Sequence, residues 1–402
     1  MTLPLKNVRV LELAQTLAGP FAGQMLSDLG AEVIKVEKMS GDETRHFTPP
    51  EWDGESTFYM ANNRNKRSIT LDLKSEEGIN IVKKLAKESH VIIENFRTGT
   101  AERLGFGYEA IKEINPSIIY LSISGFGRTG PFKDKAGYDL MIQAYSGLMG
   151  LTGEIGRPPV KAGFSVVDLV TGTLGAMSVV TALLQRDKTG IGQYLDCSLL
   201  DSQVMMMNYL VPAFQATGVS PKPMGAGHPS LYPYQAFRAQ DQYVVVACAN
   251  DRLWVKLCKA LGWEDLLEFE KFKRNKDRVA YKEELEAILN ERFSEWKCAD
   301  IVETLEANGV PCSPINSVEQ VIHSEQVIAR ETIKDIPHPF IKGLRAPVFP
   351  VKFSDMDITV RSHPPGLGEH TSEILKEIGY TPEEIINLAE QGVAGKTTVS
   401  II

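Results

Sequence analysis

Cysteine and histidine are both scarce and scattered in this chain. The five cysteines, at 197, 248, 258, 298 and 312, form neither C-x-x-C nor any other metal-ligating spacing. Their number is odd, which favours reduced thiols in a cytoplasmic compartment over a disulfide framework. The seven histidines, at 46, 90, 228, 323, 338, 363 and 370, include no H-E-x-x-H, and no G-x-S-x-G occurs. Neither a metal site nor a serine-hydrolase triad is therefore predicted. No stretch of about 18 consecutive apolar residues occurs, and the N-terminus carries no signal or transit pattern, so no membrane span is expected. Basic charge is not in excess: 43 Lys and Arg face 51 Asp and Glu, a net charge of −8. That argues against a nucleic-acid binder but leaves room for a local basic pocket around an anionic ligand. Internal repeats and low-complexity segments are missing too.

What is present is a 402-residue chain with 43% hydrophobic residues, enough for a large core and two or three domains. VRVLEL (8–13), EVIKVE (32–37), SITLDL (68–73), HVIIENF (90–96) and SIIYLSIS (117–124) read as strands. Helical patterns lie between them: FAGQMLSDLG (21–30), opened by Pro20 and closed by Gly30, and SEEGINIVKKLAKES (75–89). Short β-branched runs alternating with helices predict a parallel α/β sheet. Residues 138–217 read as mostly helical, in YDLMIQAYSGLMGL (138–151), VVDLVTGTLGAMSVVTALLQR (166–186) and SLLDSQVMMMNYLVPAFQ (198–215), with a turn and strand at KTGIGQYLDC between the last two. A Pro- and Gly-rich linker (221–235) leads to a hairpin over 234–248 and helices near 251–262, 280–295 and 298–308, a smaller α+β unit. The expected organisation is 1–205 as the N-terminal part of a large domain, 222–322 as the small domain, and 323–402 returning to the large one.

Two stretches carry candidate chemistry. GFGRTG (125–130) follows a strand and matches G-x-G-x-x-G, but Pro131 and KDKAG come next, so no helix opens there to hold a pyrophosphate. GFSVVDLVTGTLGAMS (163–178) places one carboxylate, Asp168, in an apolar run. Ser165 and Asp168 fit a capping box, a structural reading. The same position suits a nucleophile that a helix N-terminus keeps ionised and directed. Gly172, Gly175 and Ala176 leave one face bare, for a ligand or for another backbone. Local physics does not choose between these readings.

The wider pattern does. AGPFAGQMLSDLGAEVIKVE (18–37) with GDETR, NRNKRSITLDLK (63–74), ENFRTGTAERLGFGYE (94–109), SGFGRTGP (124–131), AGYDLMIQAYSG (136–147), the Asp168 stretch, TGIGQYLDCSLLDS (189–202), GVPCSPIN and GLGEHT span nearly the whole chain. Together they resemble the class III CoA-transferase family, also called the CaiB/BaiF or formyl-CoA transferase family. The resemblance implies transfer of CoA from an acyl-CoA donor to a free carboxylic acid acceptor, with Asp168 as nucleophile and with no metal, ATP or permanently bound cofactor. It implies CoA contacts at Leu17, Ala18, Lys38, Leu71, Asp72, Leu73, Lys74, Asn95, Phe96, Arg97 and Arg103. Ala136, Gly137, Tyr138 and Asp139 would pass near the pantetheine and thioester. Lys38 stands where arginine is common, and Ala136 where some members have lysine. GAGHPS (225–230) lies where the family often has a mobile loop, although a plain interdomain turn fits it as well.

By the same resemblance the fold is a Rossmann-like large domain with an inserted small α+β domain, in an interlocked homodimer. GAGHPSLYPYQAF is similar to the branch that uses succinyl-CoA with short dicarboxylates; carnitine, oxalate and bile-acid branches stay open. Two rivals are an α-methylacyl-CoA racemase and a non-catalytic CoA-binding protein. The racemase uses a histidine where this chain has Tyr138, and a phenol titrating near pH 10 is a poor proton shuttle at neutral pH.

Overall fold

The computed structural model describes residues 3–396; the outermost ends of the predicted 1–205 and 323–402 segments lie outside the described residues. Six strands build one parallel sheet: β1 (Arg9–Glu12), β2 (Glu32–Glu37), β3 (Lys66–Thr70), β4 (Val91–Glu94), β5 (Ile119–Ser124) and β6 (Gln193–Ser198). Helix α1 (Ala18–Asp28) joins the first two, and α2 (Glu76–Glu88) joins β3 to β4. The chain then forms α3 (Asp139–Tyr145) and the long α4 (Val166–Thr189) before β6, and α5 (Leu199–Met206) and α6 (Leu210–Thr217) after it. The spatial order is β3-β2-β1-β4-β5-β6, with every neighbouring pair parallel. This is a doubly wound, Rossmann-like order, in which the winding reverses between β1 and β4.

Strand periodicity divides the core into two layers. Leu11, Ile34, Ile69, Ile92 and Tyr120 point to one face, where α2 and the C-terminal helices Thr371–Glu377 and Pro382–Glu390 cover them. Val10, Val33, Val91, Ile93, Ile119, Leu121 and Ile123 point to the other, under α1 and α4. Burial on both faces is why these strands read as continuous apolar runs. The helices start where their caps allow: Ser75 Oγ accepts from Gly78 N–H (3.0 Å), and Thr381 forms a capping box with Glu384 behind Pro382.

The third strand needs correction. It sits earlier than 68–73, because Lys66 is buried against Glu12 and belongs to the sheet, while Leu71 pairs instead with Ala394. Residues 152–165, between the helical patterns at 138–151 and 166–186, are not helical, and Gly153 and Gly156 there take positive φ (118° and 72°). Without an unbroken apolar run, the 24 residues of α4 still reach a mean hydropathy of 1.7 across an 18-residue window. By length and composition it could cross a membrane. Its Thr171, Gly172, Gly175, Ala176 and Val179 are nonetheless buried against the rest of the protein, and core helices pass the same test.

The chain packs into two compact units, one of residues 3–148, 161–218 and 330–396, the other of 149–160 and 219–329. In the second, β7 (Tyr234–Arg238) and β8 (Tyr243–Ala247) form the hairpin, and Cys312–Pro314 adds a third antiparallel strand. Trp254, Leu257, Leu285, Leu289, Phe293 and Ile301 fill its core. The segment 149–160 joins this unit: Gly225 of GAGHPS donates to the Gly153 carbonyl (2.8 Å). All five cysteines are unpaired.

Candidate active site

A cavity of about 300 Å³ opens at the C-terminal ends of β1, β4 and β5, beside the point where the winding reverses. Open α/β sheets bind ligands there because adjacent connections diverge to opposite faces and leave a crevice. Its walls are the loops 15–18, 95–98, 123–125 and 133–138, with Asp168 and Leu199. Asn95 ties two of these loops together: its Oδ1 accepts from Gln15 N–H (2.9 Å) and its Nδ2 donates to the Gln15 carbonyl (2.7 Å). Thr16 adopts a left-handed φ of 71°, and its N–H donates to Asp42 Oδ1 (3.3 Å).

Beneath this loop lies a fully buried charge network. Lys35 Nζ pairs with Glu12 (3.1 Å) and Asp42 (2.8 Å) and donates to the Ala14 carbonyl (3.0 Å). Lys66 Nζ pairs with Glu12 (2.9 Å) and donates to the Pro20 carbonyl (2.8 Å). Burial alone would raise the Asp42 carboxyl, but the Lys35 ammonium and the Thr44 hydrogen bonds outweigh it and hold Asp42 at about 2. Buried charges paired this completely are stable only in one geometry, so the network fixes the backbone of the cavity wall.

Two glycines bring the 133–138 loop in. A Cβ on Gly125 would stand 2.6 Å from Gly137 Cα, and one on Gly137 2.7 Å from Gly125 Cα. The first glycine of GFGRTG therefore serves a backbone-to-backbone contact, not a pyrophosphate turn. Arg128 of the same motif is tied down by Ser122 (2.7 Å), the Phe96 carbonyl (2.8 Å) and Glu94 (3.0 Å).

Asp168 stands in the first turn of α4 and faces the cavity. The expected capping box does not form: Ser165 occupies the cap position without a side-chain hydrogen bond. The Asp139 carboxylate caps the helix instead, Oδ2 accepting from the N–H groups of Val167 (2.8 Å) and Asp168 (3.2 Å). Nor does the helix start keep Asp168 readily ionised. Burial, and then the Asp139 charge, push its carboxyl up to about 7. Among the described residues it has no ion-pair partner. Gly172 and Gly175 serve packing: a Cβ at Gly172 would stand 2.6 Å from the Ala18 carbonyl oxygen, and one at Gly175 3.0 Å from Leu121 Cδ2.

Of the positions expected from the sequence, Leu17, Ala18, Asn95, Phe96, Arg97, Ala136, Gly137, Tyr138 and Asp168 line this one cavity. Seven others do not. Lys38 is exposed and lies 3.7 Å from Glu43, which does line it. Leu71 is in the core, Leu73 packs on that core, Asp72 bonds the Lys74 N–H (3.0 Å), and Lys74 is exposed. Arg103 is exposed and bonds Thr100 (3.3 Å); Asp139 is buried behind the wall. Lys133 and Lys135 also line the cavity, with Gln15, Thr16 and Ser124, and were missed. Nothing local in PFKDKAG marks them; the Gly125–Gly137 contact and the hydrogen bond from Thr98 Oγ1 to the Lys133 carbonyl (2.6 Å) hold that loop at the cavity.

A cavity with exposed cations at Arg97, Lys133 and Lys135 and one carboxyl poised near neutrality suits an anionic ligand and acyl chemistry. The sequence profile of CoA-transferase family III matches residues 5–371. Succinyl-CoA:glutarate CoA-transferase from Homo sapiens is 40% identical over 392 residues, covering 97% of this chain and 90% of that protein. Succinate–glutarate CoA-transferase from Agrobacterium fabrum is 40% identical over 390 residues, covering 93% of this chain and 96% of that one. The crystal structure of a CaiB/BaiF family protein from Brucella suis superposes with a TM-score of 0.87 at 42% identity, over 94% of this chain and 100% of the other. On its sheet, its cavity and these likenesses, the chain belongs to CoA-transferase family III.

Proposed function

We propose that this protein moves CoA from succinyl-CoA to a free dicarboxylic acid of the glutarate class, with Asp168 as the nucleophile. The observation that carries the reading is the placement of Asp168, an unpaired carboxyl in a walled cavity with Arg97, Lys133 and Lys135. The substrates are taken from the 40% identical glutarate transferases.

In this reading an Asp168 oxygen attacks the succinyl thioester carbon, the C–S bond breaks, and CoA leaves as thiolate. The product is a mixed succinyl–aspartyl anhydride. The thiolate then attacks the aspartyl carbonyl, releasing succinate and leaving an aspartyl-CoA thioester. The acceptor carboxylate displaces CoA from that thioester, and the returning thiolate takes the acceptor's acyl group, regenerating Asp168. Each step exchanges one activated acyl bond for another, so no external energy source enters. Arg97, Lys133 and Lys135 supply positive charge for the CoA phosphates. Asn95 keeps the two facing loops at fixed separation.

The exposed apolar side chains Met177, Leu184, Met205, Met206 and Phe214 on α4 to α6 support a homodimer, which light scattering tests. For the activity, the protein is incubated with succinyl-CoA and a panel of acids, and products are read by mass spectrometry. Glutaryl-CoA formation that disappears in Asp168→Ala is expected. No exchange with any acid, together with loss of α-deuterium from a 2-methylacyl-CoA, would overturn the transferase reading.

A further inference from the structure

Asp139 has an arrangement that CoA binding does not explain. It is the first residue of α3, yet its carboxylate serves another helix. Only 8% of the residue is exposed. One oxygen takes the N–H groups of Val167 and Asp168, and the other accepts from Gln143 Nε2. Gln143 in turn accepts from Ala162 N–H (2.9 Å) on the approach to α4. The carboxylate is thus fully engaged by groups that set where Asp168 begins its helix.

We propose that Asp139 is a positioning residue for Asp168: its buried carboxylate locks the first turn of α4 and keeps a fixed negative charge behind the nucleophile. The inference rests on the reading of Asp168 as nucleophile. A neutral Ser, Thr or Asn would cap a helix as well as Asp does. The charge is what a cap alone does not require. Burial first, and the Asp139 charge beside it, hold the proton on the resting Asp168 carboxyl and make the carboxylate, once formed, a stronger base than a free aspartate. The other charged groups of the cavity are Glu43, Arg97, Arg128, Lys133, Asp134 and Lys135. Arg128 is occupied by Glu94, and among the described residues Asp139 is the one charge whose carboxylate bonds the Asp168 backbone.

Three variants separate the possibilities. Asp139→Asn keeps an acceptor and removes the charge; Asp139→Ala removes both; Asp168→Asn tests the nucleophile. Each is assayed for kcat and KM with succinyl-CoA and glutarate across pH 5–9, and amide exchange of the 160–175 region is followed by mass spectrometry. For Asp139→Asn we expect near-native exchange and an acid limb of kcat moved down by about one pH unit. For Asp139→Ala we expect faster exchange and kcat at pH 7 lowered on the order of ten- to a hundredfold, with KM changed less than about threefold. An unshifted pH profile in Asp139→Asn overturns the inference, as does a large rise in KM for succinyl-CoA with that profile unchanged, which would make Asp139 a substrate contact. If Asp139→Ala does not fold, Asp139→Asn decides alone. An active Asp168→Asn sinks the nucleophile itself, a result no Asp139 variant can imitate.

Discussion

The Asp168 carboxyl sits in the folded protein at about 7, well above the ordinary aspartate value of 3.8, burial contributing first and the Asp139 charge second. Between those values the folded state holds a proton that the unfolded chain has released. Stability therefore falls as pH rises from about 4 to about 7 and is flat beyond. Asp168→Asn removes that slope, so the variant should melt above the wild type at pH 8 and level with it near pH 4, by calorimetry. A gap independent of pH would mean that the carboxyl ionises normally. A second prediction concerns Lys133 and Lys135. Replacing both by alanine should raise KM for acyl-CoA about tenfold, steepest at low salt, and leave kcat within about threefold. Asp168 was legible in the sequence only as one of two readings, and whole-chain resemblance gave it weight. Its true cap was not legible. Ser165 sits where a capping serine belongs, while the group that caps lies 29 residues earlier, at a distance set by tertiary contact.

At the level of elements, α4 reaches α1 through a bare face, and the two glycines there are not equivalent. At Gly172 a methyl would meet the Ala18 carbonyl oxygen at 2.6 Å, a backbone atom on another helix; at Gly175 it would meet the tip of the Leu121 side chain at 3.0 Å. Alanine gains about 1 kcal/mol of helix propensity at either site. At Gly172 the clash outweighs this, and Gly172→Ala should destabilise by about 1–3 kcal/mol in chemical denaturation. Gly175→Ala should come out near neutral because Leu121 can turn. Strands β1, β2, β4 and β5 were readable from their apolar runs, which both helical layers bury. Strand β3 was misplaced because its start, Lys66, is a charge whose burial depends on Glu12, a residue 54 positions away. The helix 251–260 was readable from its amphipathic spacing, its N-terminus being capped by Asn250 (3.0 Å).

At the scale of the molecule, the large unit is finished by the end of the chain. Ile374, Leu375, Ile385, Leu388 and Val393 complete the layer over Leu11, Ile34, Ile69 and Ile92, and Arg361 N–H donates to Asn65 Oδ1 (2.6 Å) where the segment arrives. Five buried aliphatic side chains at about 1.5–3 kcal/mol each amount to roughly 7–15 kcal/mol, comparable with the whole stability of a domain. A chain ending at residue 360 should therefore lack near-UV circular dichroism from the large unit and be cut rapidly by protease; native-like protection would show that the layer is dispensable. The resemblance had 323–402 returning to the large domain, and the contacts group 330–396 with the first unit. The attachment of 149–160 to the second unit was not anticipated, because nothing in those residues names Gly225 as their partner.

The order of these pieces sets a timetable for synthesis. All six strands of the parallel sheet have been translated by residue 198, but the two helices that complete the cover begun by α2 on one of its faces start only at residue 371. At about 5–20 residues per second a ribosome needs roughly 10–35 s to cross that gap. For that interval the nascent chain carries a complete strand set with one apolar face incompletely covered, while the second unit is being made. The period of greatest exposure to aggregation therefore falls between residues 198 and 371, and emergence of the helices at 371–390 closes it.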